Sequence, residues 1–303
     1  MFGLKLFRKR AKGIQVIPTI FYIAIFMIII FVVGALIATF PGIEQRILNL
    51  LRQFFGMPIS DIAVIYHFDE GTGSCVEDSS NHENLGRFGN TDDCTKDNVP
   101  DSPAWVLDKK KIMVGSGSIV FDHGNDYIIT KPSEIGKPML NMENAEGITI
   151  DVWLYLNSYH PDNRYILYRG NSISDCDNGN ANFCLVLTSD DKIQFKVKLL
   201  YEQGGSGYCS IVSKSSLPFQ GFAHVAIKYD NKTNETRVYV QGRHDHTVEC
   251  PAGRIAPSNP DDAPLIIGCK DGWCAAPVVM DELRIYTRAL SPEEIVMHFQ
   301  AVY

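Results

Sequence analysis

Between Ile14 and Phe40 the chain has 27 consecutive residues without a charged side chain. A helix needs about 20 mainly apolar residues to cross a bilayer, and in lipid a single segment satisfies its own backbone hydrogen bonds only as a helix. The pattern therefore predicts a transmembrane helix over residues 14–40. Five basic residues precede it, and the first acidic residue is Glu44. By the positive-inside rule, residues 1–13 stay in the cytoplasm and the remainder is carried outside the cell.

An amphipathic pattern follows the apolar run. Pro41-Gly42 ends the first helix, and apolar positions then recur at helical spacing in residues 43–55, up to a stop at Gly56. This predicts a stalk helix within residues 41–58 that lies on the membrane surface, pairs with a second copy of itself or packs under the following domain. Self-association through residues 14–55 is therefore one of the expected partnerships.

From residue 59 to residue 303 the pattern changes to short alternating or β-branched runs separated by Gly, Asn, Asp and Ser clusters. Such a pattern is typical of an all-β domain, and we predict a two-sheet antiparallel jelly-roll sandwich. A single helix is predicted at its end, where Ser291, Pro292 and Glu294 form an N-cap, a first turn and a capping box. The predicted strands are residues 62–68, 117–122, 126–130, 148–156, 164–169, 183–188, 192–200, 207–213, 223–230, 236–242, 264–269 and 280–287.

The charge of the chain changes sign after the apolar run. The formal net charge is -7, and the first 40 residues hold five Lys or Arg and no acidic residue, which leaves 23 basic against 35 acidic residues in the rest. An acidic exported domain argues against nucleic acid as a partner. The acidic balance instead fits a surface that attracts cations.

All eight cysteines follow the apolar run. Disulfides persist in oxidising compartments, so this distribution agrees with export. We predict the sequential pairing, because each bond then closes a local loop or joins neighbouring strands; buried free thiols or a metal site are the alternative, although no C-x-x-C pair supports zinc. Two Asn-x-Thr triplets, at Asn231 and Asn234, predict N-glycosylation. The predicted disulfides are Cys75–Cys94, Cys176–Cys184, Cys209–Cys250 and Cys269–Cys274.

Five motifs occur in a recognisable order, and together they carry a family resemblance. They are residues 66–89, 119–130, 148–156, 223–242 and 280–295. The arrangement resembles the laminin G-like jelly-roll domains of the concanavalin A-like lectin and glucanase superfamily, over roughly residues 62–300. The resemblance implies two stacked antiparallel sheets, carbohydrate or protein recognition, and a structural calcium ion.

A calcium site can be proposed from the residues themselves. Asp122, Asn125 and Asp126 place three oxygen-bearing side chains around a Gly turn, and calcium takes about six to eight oxygen ligands. In the topology of the family, Asp281 would lie near the first strands of the domain and contribute to the same site. The alternative is that the first three are ordinary turn formers and Asp281 caps the backbone.

The chain lacks the carboxylate pattern of a glycosidase. Those enzymes of the superfamily carry two carboxylates on one strand that face the same cleft, whereas Asp281 and Glu282 are adjacent and point to opposite faces of a strand. We therefore predict a protein without catalytic activity, and a divergent glycoside hydrolase is the less favoured alternative.

Sugar binding requires aromatic platforms on loops, because the apolar faces of sugar rings stack on aromatic rings. Trp105 and Trp153 have the surroundings of core residues. The predicted ligand-binding residues are Trp273, Tyr159, His160, Tyr201 and Tyr208.

The prediction for the whole chain is a single-pass membrane protein that displays a recognition or adhesion domain outside the cell, where it binds a glycan or a surface protein. A structural role is the main alternative. Lys12-Gly13-Ile14 before an apolar helix looks similar to the leader of type IV pilin and archaellin precursors. Cleavage after Gly13 would make the helix the core of a filament and the sandwich its head. The sequence departs from that pattern at Pro18, where pilins carry a glutamate.

Overall fold

The computed structural model describes residues 61–301, except 81, 90, 98, 131–141, 143–144, 258–262, 271 and 273. The predicted tail, transmembrane helix and stalk helix, with the cleavage position after Gly13, lie outside these residues. Among the helices that are described, none has the length and apolar character needed to span a bilayer.

Two antiparallel sheets contain the strands of the described region, which are numbered here in chain order. The strands of the first sheet are β1 (Ile62–Tyr66), β4 (Ala104–Val106), β5 (Ser118–Val120), β7 (Gly147–Leu156), β12 (Phe222–Asp230), β13 (Glu235–Val240), β14 (Arg243–Glu249) and β17 (Val278–Tyr286). Their order in the sheet is β14-β13-β12-β7-β17-β5-β4, and β1 also pairs with β17. The first and last strands of the domain are therefore adjacent, as the resemblance implied.

The second sheet packs face to face with the first. Its strands are β2 (Cys75–Val76), β3 (Gly86–Phe88), β6 (Tyr127–Thr130), β8 (Arg164–Arg169), β9 (Phe183–Leu187), β10 (Lys192–Tyr201), β11 (Ser206–Ser216), β15 (Gly253–Ile255) and β16 (Leu265–Gly268). Their order is β11-β10-β9-β8-β16-β6-β3-β2, with β15 paired to β10. The predicted two-sheet antiparallel sandwich is confirmed.

The core forms between the sheets because side chains alternate along each strand. Ile150 and Val152 of β7 belong to the core cluster, and Phe195 and Val197 of β10 contribute to the same cluster from the other sheet. Burying side chains of this size contributes about 1.5–3 kcal/mol each. The intervening residues of β7, which include Asp151 and Trp153, point to the outer face of the first sheet.

Helix α2 (Pro292–Gln300) covers part of that outer face. Ser291 caps it, with the reciprocal contact to Glu294 that defines a capping box, as predicted. Ile295 packs in a second buried cluster with Ile65 and Tyr286 of the first sheet, and Phe299 stacks on Trp153 with ring centroids 5.8 Å apart. The other helical segments described are a 3₁₀ turn (Lys109–Lys111) and α1 (Asp175–Asn178).

The four disulfides of the structure are the predicted sequential set. Cys75–Cys94 clips the long segment between β1 and β4. Cys209–Cys250 joins β11 to the residue after β14, so it ties an edge strand of one sheet to an edge strand of the other. Asp245 supports the same junction by accepting hydrogen bonds from the backbone N–H groups of Lys214 and Ser215.

Candidate functional site

Four segments of the described chain meet at one end of the sandwich, and we call this surface the loop face. Backbone hydrogen bonds tie them together: Ala275 N donates to Gly124 O at 2.8 Å, and Tyr165 N donates to Cys274 O at 2.7 Å. Because the segments come from strand ends of both sheets, the loop face bridges the two sheets. Its segments are residues 97, 99–105, 121–126, 158–164 and 274–277.

The turn between β5 and β6 provides the polar centre of the loop face. Asp126, which is 2% exposed, accepts at Oδ2 from the backbone N–H groups of Asp122 (3.0 Å) and His123 (2.8 Å). Burial raises the pKa of the Asp126 carboxyl to about 6, although both hydrogen bonds favour its charged form. His123 Nδ1 lies 2.7 Å from Asp122 Oδ1, and the imidazole is 68% exposed. The turn thus holds a solvent-exposed imidazole above a buried carboxylate.

A cleft of about 470 Å³ opens on one side of His123, and we call it the acidic cleft. The rings of Trp105 and Phe88, with centroids 5.2 Å apart, form its apolar wall. This volume lies within the range of small-molecule sites, roughly 300–1,000 Å³. Its polar lining consists mainly of Ser74, Asp97, Asp101, Ser102, His123, Asn125 and Asp126.

A smaller cleft of about 160 Å³ lies on the other side of His123, and Tyr159, His160 and Arg164 line it. Tyr159 is 74% exposed, whereas His160 is 2% exposed. The His160 ring is held from below, since its Nδ1 lies 2.7 Å from Asp162 O and its Nε2 lies 3.3 Å from Asp191 Oδ1. Tyr159 therefore offers a ring to solvent, and His160 supports the loop that carries it.

The sequence profile of the concanavalin A-like lectin/glucanases superfamily matches residues 122–296, which is more than half of the chain. The chain belongs to this superfamily. The match begins at Asp122 in the loop face and ends within α2, so it spans most of the concanavalin A-like sandwich. No curated protein matches the chain.

Solved structures with the concanavalin A-like fold are similar to this chain at low sequence identity. The ligand-binding domain of botulinum neurotoxin serotype D, in complex with N-acetylneuraminic acid, has a TM-score of 0.54 and 12% identity, and covers 80% of this chain and 51% of its own. The binding domain of botulinum neurotoxin DC with rat synaptotagmin II has a TM-score of 0.55, 12% identity and coverages of 81% and 52%.

A third similar structure is domain 4 of AbnA, a GH43 extracellular arabinanase from Geobacillus stearothermophilus, in complex with arabinotriose. It has a TM-score of 0.52 and 17% identity, and covers 78% of this chain and 97% of its own. The chain thus spans about half the length of the neurotoxin binding domains and nearly all of the arabinanase domain. At these identities the likeness establishes the fold of the concanavalin A-like domain.

The predicted ligand-binding residues are divided between the two ends of the sandwich. Tyr159 and His160 lie at the loop face, but Tyr201 ends β10 at the opposite end, about 30 Å away by the rise of a strand. There Tyr201 lines a separate cleft of about 550 Å³. The Tyr208 hydroxyl donates to Asp175 O and Ala181 O, so it is engaged in the fold. Trp273 lies outside the described residues.

The predicted calcium ligands are also divided. Asp122 and Asp126 come together with His123, and ligand atoms of these three residues lie within 4.8 Å of one another. Asn125 donates from Nδ2 to Asp101. Asp281 is not among them, because the pairing of Met280 with Ile119 places it about 13 Å along the ladder from Asp122.

Asp281 has an environment of its own. Its side chain is fully buried, and Oδ2 accepts from the backbone N–H groups of Met113 (2.7 Å) and Val114 (3.0 Å). Oδ1 is buried without a hydrogen-bond partner, and burial raises the pKa of this carboxyl to about 8. Calcium takes about six to eight oxygen ligands, of which this orphaned oxygen would supply one, and the ion would have to displace the proton that the raised pKa retains. The set of Asp122, His123 and Asp126 includes an imidazole, which is more typical of transition metals.

The sequence did not identify Trp105, Asp97 and Asp101 as site residues. Trp105 was predicted to be core, and it does pack against the core cluster, but it also lines the acidic cleft. Its Nε1 donates to Gly73 O at 2.8 Å, which fixes the plane of the ring. The signal available in the sequence was the Asp-rich run around Cys94, which the Cys75–Cys94 disulfide holds beside this wall.

Both predicted glycosylation sites lie in the turn between β12 and β13. Asn231 donates from Nδ2 to Ala145 O at 2.8 Å, and Asn234 has a positive φ of 54°. The Asn231 amide is thus engaged in the folded turn by one of its two N–H groups. The N-glycosylation stays a prediction.

Proposed function

We propose that the chain is a membrane-anchored recognition protein, exposed outside the cell, whose loop face binds a glycan without catalysing a reaction. The observation that carries the proposal is the exposed Tyr159 ring, which lines the smaller of the two clefts that share His123. Aromatic rings at a rim stack against the apolar faces of sugars, and the carboxylates and amide of the turn supply hydrogen-bond partners for hydroxyl groups.

Binding without catalysis is supported by the carboxylates of β17. Glu282 is 2% exposed; its Oε1 lies 2.6 Å from His67 Nδ1, and its Oε2 pairs with Arg284. Asp281 is fully buried. Neither carboxylate therefore reaches an open cleft, where a glycosidase needs its acid and its nucleophile.

Membrane anchoring and export are supported by two features of the sequence. The uncharged run Ile14–Phe40 has the length and the basic flank of a membrane anchor. The four disulfides after it suit an oxidising compartment. The structures with similar folds bind N-acetylneuraminic acid, arabinotriose or a synaptotagmin, and this favours a glycan or surface protein here.

A glycan array with the full chain in detergent, followed by calorimetry on the best ligand, tests the proposed site. We expect Tyr159→Ala to lower the affinity by about tenfold, the value of one lost aromatic stacking contact. Phe219→Ala is the matched control, because Phe219 is an exposed ring (55%) that lines neither cleft. Loss of binding in Tyr201→Ala but not in Tyr159→Ala would move the site to the opposite end, and an array without any ligand would overturn the proposal.

We propose further that a calcium ion binds at Asp281. The proposal rests on the buried Oδ1 without a partner. We expect calcium to raise the melting temperature of the wild-type chain above its value in EDTA, because a ligand at 100 times its Kd stabilises by about 2.7 kcal/mol. Asp281→Asn should lose this response and Asp122→Asn should keep it. Equal melting temperatures of the wild type in calcium and in EDTA would contradict the proposal.

A further inference from the structure

We infer that the acidic cleft binds the cationic amino group of an amino sugar, so that the preferred glycan carries an amine that is not acetylated. The inference rests on the proposed glycan-binding function and names the chemical class of its ligand. It depends on three features of the cleft: the sign of its charge, a buried carboxylate at its base and an aromatic wall.

The lining of the cleft is negative. Asp97, Asp101 and Asp126 contribute carboxylates, and His123 is the one basic side chain among the lining residues. The basic side chains nearby in sequence have acidic partners of their own: Lys96 lies 3.9 Å from Asp93, and Arg87 lies 4.0 Å from Asp92. A cleft that concentrates one sign of charge attracts the opposite charge, so a cationic ligand is favoured over an anionic one.

Asp126 supplies a carboxylate at the base of the cleft. It is 2% exposed, and its hydrogen bonds within the described chain all reach Oδ2. Oδ1 is thereby left for a donor that enters the cleft. Since a buried charge is costly unless it is paired, an ammonium group would gain more here than a neutral hydroxyl.

The carboxylates of Asp97 and Asp101 are each held by one hydrogen bond. Asp97 Oδ1 accepts from Gly73 N at 3.1 Å, and Asp101 Oδ1 accepts from Asn125. Each has a second oxygen that these contacts do not use. An ammonium group has three N–H donors, which suits a cleft with several carboxylate acceptors better than a single hydroxyl does.

The aromatic wall explains why the ligand should be a sugar with an amine rather than a bare ion. The volume of about 470 Å³ is much larger than a metal ion and its ligands need. Trp105, with its ring held by the bond to Gly73 O, offers an apolar surface for a sugar ring and a π system that attracts a nearby cation. A basic peptide also carries amines, and the experiment includes it as a competing ligand.

Calorimetry with a matched pair of oligosaccharides tests the inference on the full chain. The glucosamine trimer and the N-acetylglucosamine trimer share a backbone and differ in the charge of their amino groups. We expect the glucosamine trimer to bind at least about tenfold more tightly, because the acetylated form loses its attraction to the carboxylates. Raising the salt concentration should reduce this preference.

The variant Asp97→Asn/Asp101→Asn removes two charges while it keeps both Oδ1 acceptors. Asn also tolerates the positive φ of Asp101 (56°), so the fold should persist, as an unchanged melting temperature would verify. We expect this variant to lose about tenfold in affinity for the glucosamine trimer and little for the acetylated one. Glu249→Gln is the matched control, since Glu249 is an exposed carboxylate on β14, away from the loop face.

The binding measurements distinguish a failure of the amine inference from a failure of the proposed glycan binding. Equal affinity for the two trimers, with Tyr159 still required, overturns the amine and leaves glycan binding in place. Absence of binding to any glycan overturns both. Tighter binding of an oligolysine peptide than of the glucosamine trimer overturns the sugar and assigns the cleft to basic peptides.

Discussion

Among the residues that the structure describes, two clusters of three aspartate and histidine side chains can be compared, one open and one closed. The open cluster lies in the loop face and consists of Asp122, His123 and Asp126. The closed cluster lies between α2 and the outer face of the first sheet, and consists of Asp151, His224 and His298. The His123 imidazole is 68% exposed, whereas Asp151 and His224 are fully buried. The same two types of side chain therefore meet near solvent in one cluster and in the protein interior in the other.

The partners of each carboxylate determine the direction of its pKa shift. Burial would raise the pKa of Asp151, but hydrogen bonds from His224 (3.1 Å) and His298 (3.3 Å) outweigh it and hold this pKa well below its usual range. Arg284 Nη1 adds a contact at 3.4 Å. Asp126 is bonded mainly to backbone N–H groups, so burial prevails and raises its pKa to about 6. Burial alone thus does not predict the sign of the shift.

The difference in burial gives the closed cluster a structural role and the open cluster a role in recognition. In the closed cluster, His298 belongs to α2 and Asp151 to β7, so their contact fastens the helix to the sheet. In the open cluster, the imidazole of His123 faces solvent and can exchange its partner for a ligand. An Asp–His pair is evidence for a binding site only where the surrounding chain leaves it accessible.

The largest effect is expected when the closed cluster loses its charge. Asp151→Asn removes the buried anion that His224 and His298 contact and leaves Arg284 paired with Glu282 alone. Breaking a buried ion pair on one side costs about 3–5 kcal/mol. We expect a corresponding loss in the free energy of unfolding, measured by urea denaturation at pH 7.

Asp122→Asn is the control in the open cluster. Because its side chain is 47% exposed, the same chemical change should alter stability by about 0.5 kcal/mol or less. Similar losses in the two variants would remove the distinction between the clusters.

The sequence predicted most of the fold because long strands carry a period of two. Each of the twelve predicted runs overlaps a strand of the structure. The remaining strands were missed for physical reasons. β2, β3, β4 and β15 are two or three residues long, too short for a period to register. β14 is longer, but its sequence RHDHTVE is polar because this strand lies at a sheet edge and none of its residues is buried.

The candidate site was less predictable, because a cleft depends on which loops meet. Asp122 and Asp126 were found together since they share one turn. Asp281 was assigned to the same site, but strand register places it elsewhere. The closed cluster escaped notice because Asp151 and His224 alternate with core residues of β7 and β12. Their pairing requires the register of the two strands and the docking of α2, and neither is visible in local spacing.

An intermediate loss of stability is expected from a substitution in α2, the helix that covers the closed cluster. His298→Ala removes the hydrogen bond to Asp151 (3.3 Å) and the stacking on Tyr286, whose ring centroid lies 5.7 Å away. One hydrogen bond to a charged group and one ring contact suggest a loss of about 2 kcal/mol, measured by thermal unfolding. Met297→Ala on the same helix is the control, since Met297 is 58% exposed. An equal loss in both variants would mean that helix propensity, rather than the cluster, fastens α2.

The smallest effect is expected from the pH dependence of the open cluster. Because the folded pKa of Asp126, about 6, lies above the ordinary value of 3.8, the folded state binds the proton more tightly than the unfolded state does. Its contribution to stability is complete below about pH 4 and is lost as the pH rises to about 6. The pKa of Asp151 is lowered in the folded state, so this residue is ionised in both states above about pH 5 and should contribute no slope there. The free energy of unfolding of the wild type, measured by urea denaturation, should therefore fall between pH 4 and pH 7 by about 1 kcal/mol relative to that of Asp126→Asn. The decline is this small because solvent in the cleft screens the charge of the carboxylate. Parallel curves for the two proteins would mean that Asp126 ionises as an ordinary carboxylate and that the open cluster has no buried charge to offer a ligand.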